Sequence, residues 1–465
     1  MDVWRPGRTT PALTMYLRAD VFAEPLVDGF PAWLGSLAPV PAATRLAGVQ
    51  VPRLEACLRR PEDGELRALE AAALLDVIER DRVDMLRFAA AVAAAEDLLR
   101  RHPGGADLPA LHRRLPGPLH GLVELAYDAA GRPAMRFLET LLYESPVYDT
   151  GRQSIQFELG GPPGGVWDLD EPRLPGPDKV ELPVPFHHPQ LDELFAARIR
   201  PTDPTRLRVA LGLDDWQAPG LDRLFTAAAP ARSDRHLGRG ARIRYFGRAC
   251  LVLQTPEVAV VTDPCLDAGC GYTIDDLPDH IDLVLITSGH PDHLALGTLL
   301  QLRPRIGAVV VPRSSRGNPD DPSIGRCLKA LGFRIVETDD LDEIPLAGGR
   351  VVATPHQGGH DGHDVRAKST YVVQIADAAV FVGGRSAGHD PALHRRLRAR
   401  LGRVDMAFLG APADAVGVVA ALDADEAYLY GDYDPAGDRI RDFLGWCAGH
   451  GIIAEHLRGP RDWRW

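Results

Sequence analysis

Nine residues constrain this chain more than any others: Leu285-Ile286-Thr287-Ser288-Gly289-His290-Pro291-Asp292-His293. An apolar run, read as a buried strand, ends in a polar loop that sets two imidazoles and a carboxylate within four residues. That residue set suits a borderline divalent metal such as zinc or iron. Three side chains are too few for a closed site, so further ligands have to come from distant loops. The competing reading is a polar turn whose histidines cap the backbone and face solvent.

At T-S-G-H-P-D-H the chain resembles the metallo-β-lactamase superfamily, whose loop reads Thr-His-x-His-x-Asp-His and feeds a one- or two-metal centre. His290, Asp292 and His293 stand on three of its ligand positions, and Ser288 stands where the first histidine belongs. The resemblance implies an α/β fold, the αββα sandwich.

Length and composition agree with a soluble enzyme-sized chain. At 465 residues it exceeds what one core organises and suggests two or three domains. A net charge of −12 argues against nucleic acid, which needs a concentrated basic surface. The arginines of His394-Arg395-Arg396-Leu397-Arg398-Ala399-Arg400 are expected on a solvated helix face. No uninterrupted apolar stretch is long enough for a membrane span, and the N-terminus lacks a signal peptide's apolar core. A cytoplasmic protein with no membrane partner is expected. The six cysteines are scattered and read as reduced structural thiols; Cys265 and Cys270 form the only close pair.

Residues 1–235 are expected to form an accessory, mostly helical N-terminal domain with a linker, and residues 236–465 a metallo-β-lactamase-like domain. The apolar spacing from Asp63 to Arg101 predicts one or two long amphipathic helices, stopped by His102-Pro103-Gly104-Gly105. Shorter helical patterns lie at Ala110 to Arg114 and Met135 to Tyr143. Thr226 to Gly240 has a linker's composition. Beyond it, short apolar strands alternate with helices. The strands are read at Arg242 to Leu253, Val258 to Thr262, Ile281 to Thr287, Gly307 to Pro312, Arg334 to Glu337, Arg350 to Thr354, Ser369 to Ile375, Ala379 to Val382, Met406 to Leu409, Glu426 to Tyr430 and Ile452 to Leu457.

Within the superfamily the chain is similar to the di-iron β-hydroxylases of chloramphenicol-type antibiotic pathways. Thr273-Ile274-Asp275-Asp276-Leu277-Pro278, Val310-Val311-Pro312-Arg313-Ser314 and Leu331-Gly332-Phe333 carry the likeness in the second region. Tyr16-Leu17-Arg18-Ala19-Asp20, Glu24-Pro25-Leu26 and Phe137-Leu138-Glu139 carry it in the first. The resemblance implies a substrate tethered to a nonribosomal peptide synthetase carrier protein. It also implies that Asp263-Pro264 orients the motif loop by hydrogen bonds.

The metal positions depart from that pattern. A glutamate expected before a histidine falls on Gly359 in Gly358-Gly359-His360, and the bridging aspartate falls near Gly384 in Val382-Gly383-Gly384-Arg385-Ser386. Two adjacent cations repel and stay together only when bridging carboxylates neutralise them. A di-iron centre is therefore not expected, and the cofactor is none or one divalent metal, iron or zinc. The candidate metal ligands are His290, Asp292, His293 and His360, and no catalytic residue is assigned. His356 and His363 are read as surface residues of a glycine loop, His389 and His394 as exposed or capping, and the seven tryptophans as core. The expected role is that of a degenerate relative that binds a carrier protein, a synthetase or an intact homologous subunit. The alternative is an active oxygenase or hydrolase with a rebuilt mononuclear site.

Overall fold

The computed structural model describes residues 14–59, 65–102, 104–160, 168–173, 176, 179–214, 218–231, 236, 238–266, 272–315, 317–356, 367–384, 390–410, 412, 414–430 and 437–464. Two mixed sheets of seven strands organise the second half. The first runs, edge to edge, Ile335–Thr338, Ile306–Pro312, Ile281–Leu285, Ala259–Thr262, Leu251–Gln254, Arg242–Tyr245 and Arg461–Arg464. The second runs Glu343–Leu346, Gly349–Pro355, Ser369–Ile375, Ala378–Val382, Met406–Leu409, Glu426–Tyr430 and Ile453–Leu457.

Side chains on alternate strand positions point to opposite faces, and both faces here are apolar. Leu283, Leu285, Ala308 and Val310 pack against Val351, Ala353, Tyr371 and Val373 between the sheets. Val284, Val309 and Val311 of the same strands face outward and are buried just as fully. Each such Val or Leu contributes about 1.5–3 kcal/mol by leaving water, so a strand buried on both faces is held in one register. Helices Pro391–Leu401, Ala415–Leu422 and Asp438–Gly449 flank the second sheet, whose outer face contributes Val352, Val372, Phe381 and Leu409 to a third core layer.

What covers the outer face of the first sheet is the N-terminal half. There Val252, Val261, Val284 and Ile286 share one core with Phe157, Phe186, Leu191 and Phe195. The N-terminal half also carries the helices Glu65–Asp81 and Val83–Arg100 in the region where long helices were expected. Strands occur there too. Val21–Val27 pairs antiparallel with Gln153–Leu159 along its whole length, in a four-stranded sheet with Phe30–Pro31 and Lys179–Leu182. The span read as a helix from Met135 divides into a strand, Pro133–Phe137, and a helix, Glu139–Tyr143. Sequence spacing misses this because an edge hairpin needs little apolar periodicity once its partner strand, Val123–Tyr127, is in place.

Other local readings change as well. Arg242 to Leu253, read as one strand, is a hairpin of two that turns through Gly247 and Arg248, both at positive φ. His394, expected at the surface, is fully buried with its ring edge-on to Phe381 at 5.8 Å. Its helix begins at Pro391, which turns position 394 toward the sheet while Arg395, Arg396, Arg398 and Arg400 face solvent. Of the tryptophans, Trp33, Trp446 and Trp463 are only half-buried; Trp4, Trp167, Trp216 and Trp465 lie outside the described residues. Among the described residues no helix is long and apolar enough to cross a membrane.

Candidate metal centre

The motif loop leaves the C-terminal end of Ile281–Leu285 and is tied down by backbone. Ile286 N–H donates to Val310 O at 2.9 Å, Ser369 N–H to Thr287 O at 2.9 Å, and Leu294 N–H to His290 O at 2.8 Å. The Tyr371 hydroxyl, wholly buried, donates to Ile286 O at 2.8 Å. Burial raises the Tyr371 pKa far above that of an ordinary phenol, so it stays a donor.

Asp263 holds the loop from below. Its carboxylate, with no exposure, accepts the Thr287 N–H at 2.8 Å, the Thr287 hydroxyl at 2.5 Å and His293 Nδ1 at 2.7 Å. A carboxylate only accepts, so Nδ1 of His293 carries a proton in this contact and Nε2 lies on the other side of the ring. That Nε2 lies 3.5 Å from Asp292 Oδ1. His290 reaches the same oxygen through Nδ1. Asp263 thus orients the loop, as its strand-end Asp-Pro was expected to do.

His290, Asp292 and His293 are therefore neighbours, with Asp292 between the imidazoles and the rings 6.4 Å apart at 74°. His293 is buried and His290 half-exposed. The donor types suit a divalent metal. As they stand, no three His, Cys, Asp or Glu side chains gather into a ligand group among the described residues. His360 lies outside the described residues, as do Gly359, His363, His389, Arg385 and Cys270. Ser288 is buried and forms an isolated bridge with Lys368.

Gly384 lies two residues beyond the end of Ala378–Val382 and packs against Thr287 of the loop. It has φ 60°, and a Cβ there would stand 3.1 Å from both Cβ and Oγ1 of Thr287. Its carbonyl accepts the Tyr430 hydroxyl at 2.7 Å and the Gly410 N–H at 3.0 Å. A side chain at this point would need Thr287 to give by a few tenths of an ångström, in a left-handed backbone that glycine, asparagine and aspartate adopt more readily than other residues.

Sequence reasoning missed how the first half closes on the loop. A Cβ on Gly289 would lie 2.8 Å from Leu34 Cδ2, so the segment Trp33-Leu34 packs directly on the motif. Beside it a cavity of about 330 Å³ opens between the two halves, walled by Val21, Phe22, Ala23, Trp33, Pro291, Leu294, Leu296 and Arg198 among others. Nothing in the local pattern around Trp33 or Arg198 signals this, because each wall comes from a different part of the chain.

The paired sheets, the flanking helices and the histidine-bearing loop define a metallo-β-lactamase-type fold. Residues 242–427 match the family model for a β-lactamase superfamily domain, and residues 64–229 that for a diiron non-heme β-hydroxylase N-terminal domain. The chain is 31% identical, over 437 residues, to the 4-amino-L-phenylalanyl-[CmlP-peptidyl-carrier-protein] 3-hydroxylase of Streptomyces venezuelae, covering 87% of this chain and 81% of that one. The crystal structure of CmlA, a diiron β-hydroxylase from the same organism, superposes with a TM-score of 0.86 at 26% identity, over 98% of this chain and 100% of that one. A mutant of that enzyme superposes at 0.82, again at 26% identity, over 97% and 100%. The chain belongs to the diiron non-heme β-hydroxylase family, within the metallo-β-lactamase superfamily.

Proposed function

We propose that this protein is a degenerate member of its family that acts as a binding or partner subunit in natural-product biosynthesis. Its partner is a carrier protein or nonribosomal peptide synthetase, or an intact homologous subunit. One observation carries the reading: near the place where the resemblance puts the bridging carboxylate stands Gly384, which brings no ligand and packs against Thr287. With Ser288 and Gly359 also replacing ligands, too little anionic coordination remains to hold two cations side by side. The carrier partner is supported by the relative that acts on a carrier-linked amino acid and by the retained N-terminal half.

Metal analysis of untagged protein loaded with ferrous salt tests this. The expected result is at most one equivalent; two bound ions per chain overturn it. Pull-down by a loaded carrier protein should persist when metal is removed.

A second reading has its own support, the Asp263-oriented His293 beside Asp292 and His290. In it His290, Asp292, His293 and His360 hold a single iron or zinc, which supplies activation of oxygen or water for hydroxylation of a tethered amino acid or for hydrolysis. The double change His290→Ala with His293→Ala separates the readings. If it abolishes product formation by a reconstituted pathway while the protein stays folded, the second reading replaces the first.

A further inference from the structure

One short segment, Gly317 to Ile324, touches both the N-terminal half and the motif loop. From the N-terminal side, Phe137 N–H donates to Gly317 O at 2.8 Å, and the Glu139 carboxylate accepts the Ser323 N–H at 3.3 Å. Arg326, in the first turn of the helix Ile324–Ala330, lies 3.7 Å from the same carboxylate. Gly317 has φ 75°, and a Cβ there would run into the Phe137 carbonyl oxygen. The approach is therefore backbone to backbone, which only glycine allows at this point.

On its other side the segment reaches the motif twice. Ile324 is buried, and a Cβ on Gly289 would stand 3.4 Å from its Cδ1. Asp321, 1% exposed, holds two backbone donors: its Oδ2 accepts the Ser315 N–H at 2.6 Å and its Oδ1 the Ala367 N–H at 2.8 Å. Ala367 stands 46 residues further along the chain, so tertiary packing and not local geometry brings the two together. The next residue, Lys368, bridges Ser288, and Ser369 N–H donates to Thr287 O at 2.9 Å. Asp321 thus fixes the start of the strand that lies along the motif loop.

We propose that Asp321 is a positioning residue that couples the N-terminal half to the motif loop. The grip of Phe137 and Glu139 on this segment passes through Asp321 to Ala367, and from there to Ser288 and Thr287. Close-packed segments shift as units and transmit strain, so releasing Asp321 lets the motif loop move independently of the N-terminal half. None of the candidate metal residues takes part, so the coupling stands apart from both readings of the metal centre.

Hydrogen exchange of the full chain, resolved over residues 286–294, tests the proposal. In that stretch Ile286, His293 and Leu294 N–H groups make backbone bonds in which Asp321 has no share. Asp321→Ala should speed their exchange about tenfold or more, and Asp321→Asn, which keeps one acceptor oxygen, about threefold. The strand Met406–Leu409 of the second sheet reports general loss of stability and should speed up much less. Glu139→Ala acts from the N-terminal side and should speed the same motif amides; combined with Asp321→Ala it should add less than about twofold, because both release one connection. Acceleration confined to residues 315–323 and Ala367, equal acceleration at Met406–Leu409, or motif amides unmoved by Glu139→Ala would each overturn the coupling. If Asp321→Ala fails to fold, Asp321→Asn and Glu139→Ala decide the matter by the same comparison.

Discussion

Removing the Asp263 carboxylate gives the sharpest test of how the motif loop is held. The Asp263→Ala change removes the acceptor of three buried donors at once, the Thr287 N–H, the Thr287 hydroxyl and His293 Nδ1–H, and leaves His293 Nδ1 only Thr287 Oγ1 at 3.1 Å. Hydrogen bonds to a charged acceptor contribute about 1.5–3 kcal/mol each, but these three share one carboxylate and do not add. Breaking such a buried charged network costs about 3–5 kcal/mol. The backbone adds to it, since Asp263 sits at φ 37°, a region where Asp and Asn are at ease and Ala is not. Asp263→Asn keeps that backbone preference and one acceptor oxygen, but presents an amide N–H to the remaining donors. Its expected cost is about 1–3 kcal/mol. Urea unfolding of the three proteins, with and without zinc, measures both effects. The order wild type, Asn, Ala is expected for stability. Zinc should stabilise wild type more than either variant, because His293 loses the hydrogen bond that fixes its tautomer. An Asp263→Ala protein within about 0.5 kcal/mol of wild type, with an unchanged response to zinc, would refute the role given to this carboxylate.

Three further changes probe the rest of the structure. Gly384→Asp places a carboxylate where Thr287 is 3.1 Å away, and should destabilise the protein by about 1 kcal/mol, chiefly through that contact, without adding a second bound metal. A second equivalent of metal by elemental analysis would contradict it. Gly289→Ala drives a methyl to 2.8 Å from Leu34 Cδ2, at a cost of about 1–3 kcal/mol that Leu34→Ala should largely relieve; a double-mutant cycle with no coupling would deny the contact between the two halves. Burial pushes the Tyr148 hydroxyl up to about 12. The folded state therefore keeps a proton that the unfolded chain gives up near pH 10, and this contribution to stability, intact below about pH 10, is lost as pH rises to about 12. Tyr148→Phe should flatten that part of the stability profile in alkaline urea titrations, and an unchanged slope would count against it.

The cysteines give a chemical check on packing. Burial raises the Cys327 thiol to about 12 beside Tyr143, whereas Cys57 is half-buried. Iodoacetamide at pH 8 should label Cys57 well before Cys327 in the folded protein, and equal rates by mass spectrometry would contradict the burial.

Local chemistry made much of the second half readable. Runs such as Val309-Val310-Val311 and Val372-Val373 carry β-branched side chains on both faces, so they name buried strands without reference to anything distant. The His-Pro-Asp-His loop names itself because its donors are adjacent in the chain. The strand Arg461–Arg464 could not be read that way. It is polar, and it is a strand because Arg242–Tyr245 offers a free edge and Asp462 meets Arg242 at 2.7 Å. His394 is buried by the phase of a helix, not by its own preference.

From its residues alone, the chain determined its strand and helix spans around the loop, the identity of the candidate ligands, and that positions 288, 359 and 384 hold serine and two glycines. Tertiary structure alone decided that Asp263 holds His293 through Nδ1, that Thr287 packs against Gly384, and that Leu34 packs against Gly289. The reason is physical: a side chain's donors and charge travel with its sequence, while the distance between two side chains far apart in the chain is set by the packing of everything between them.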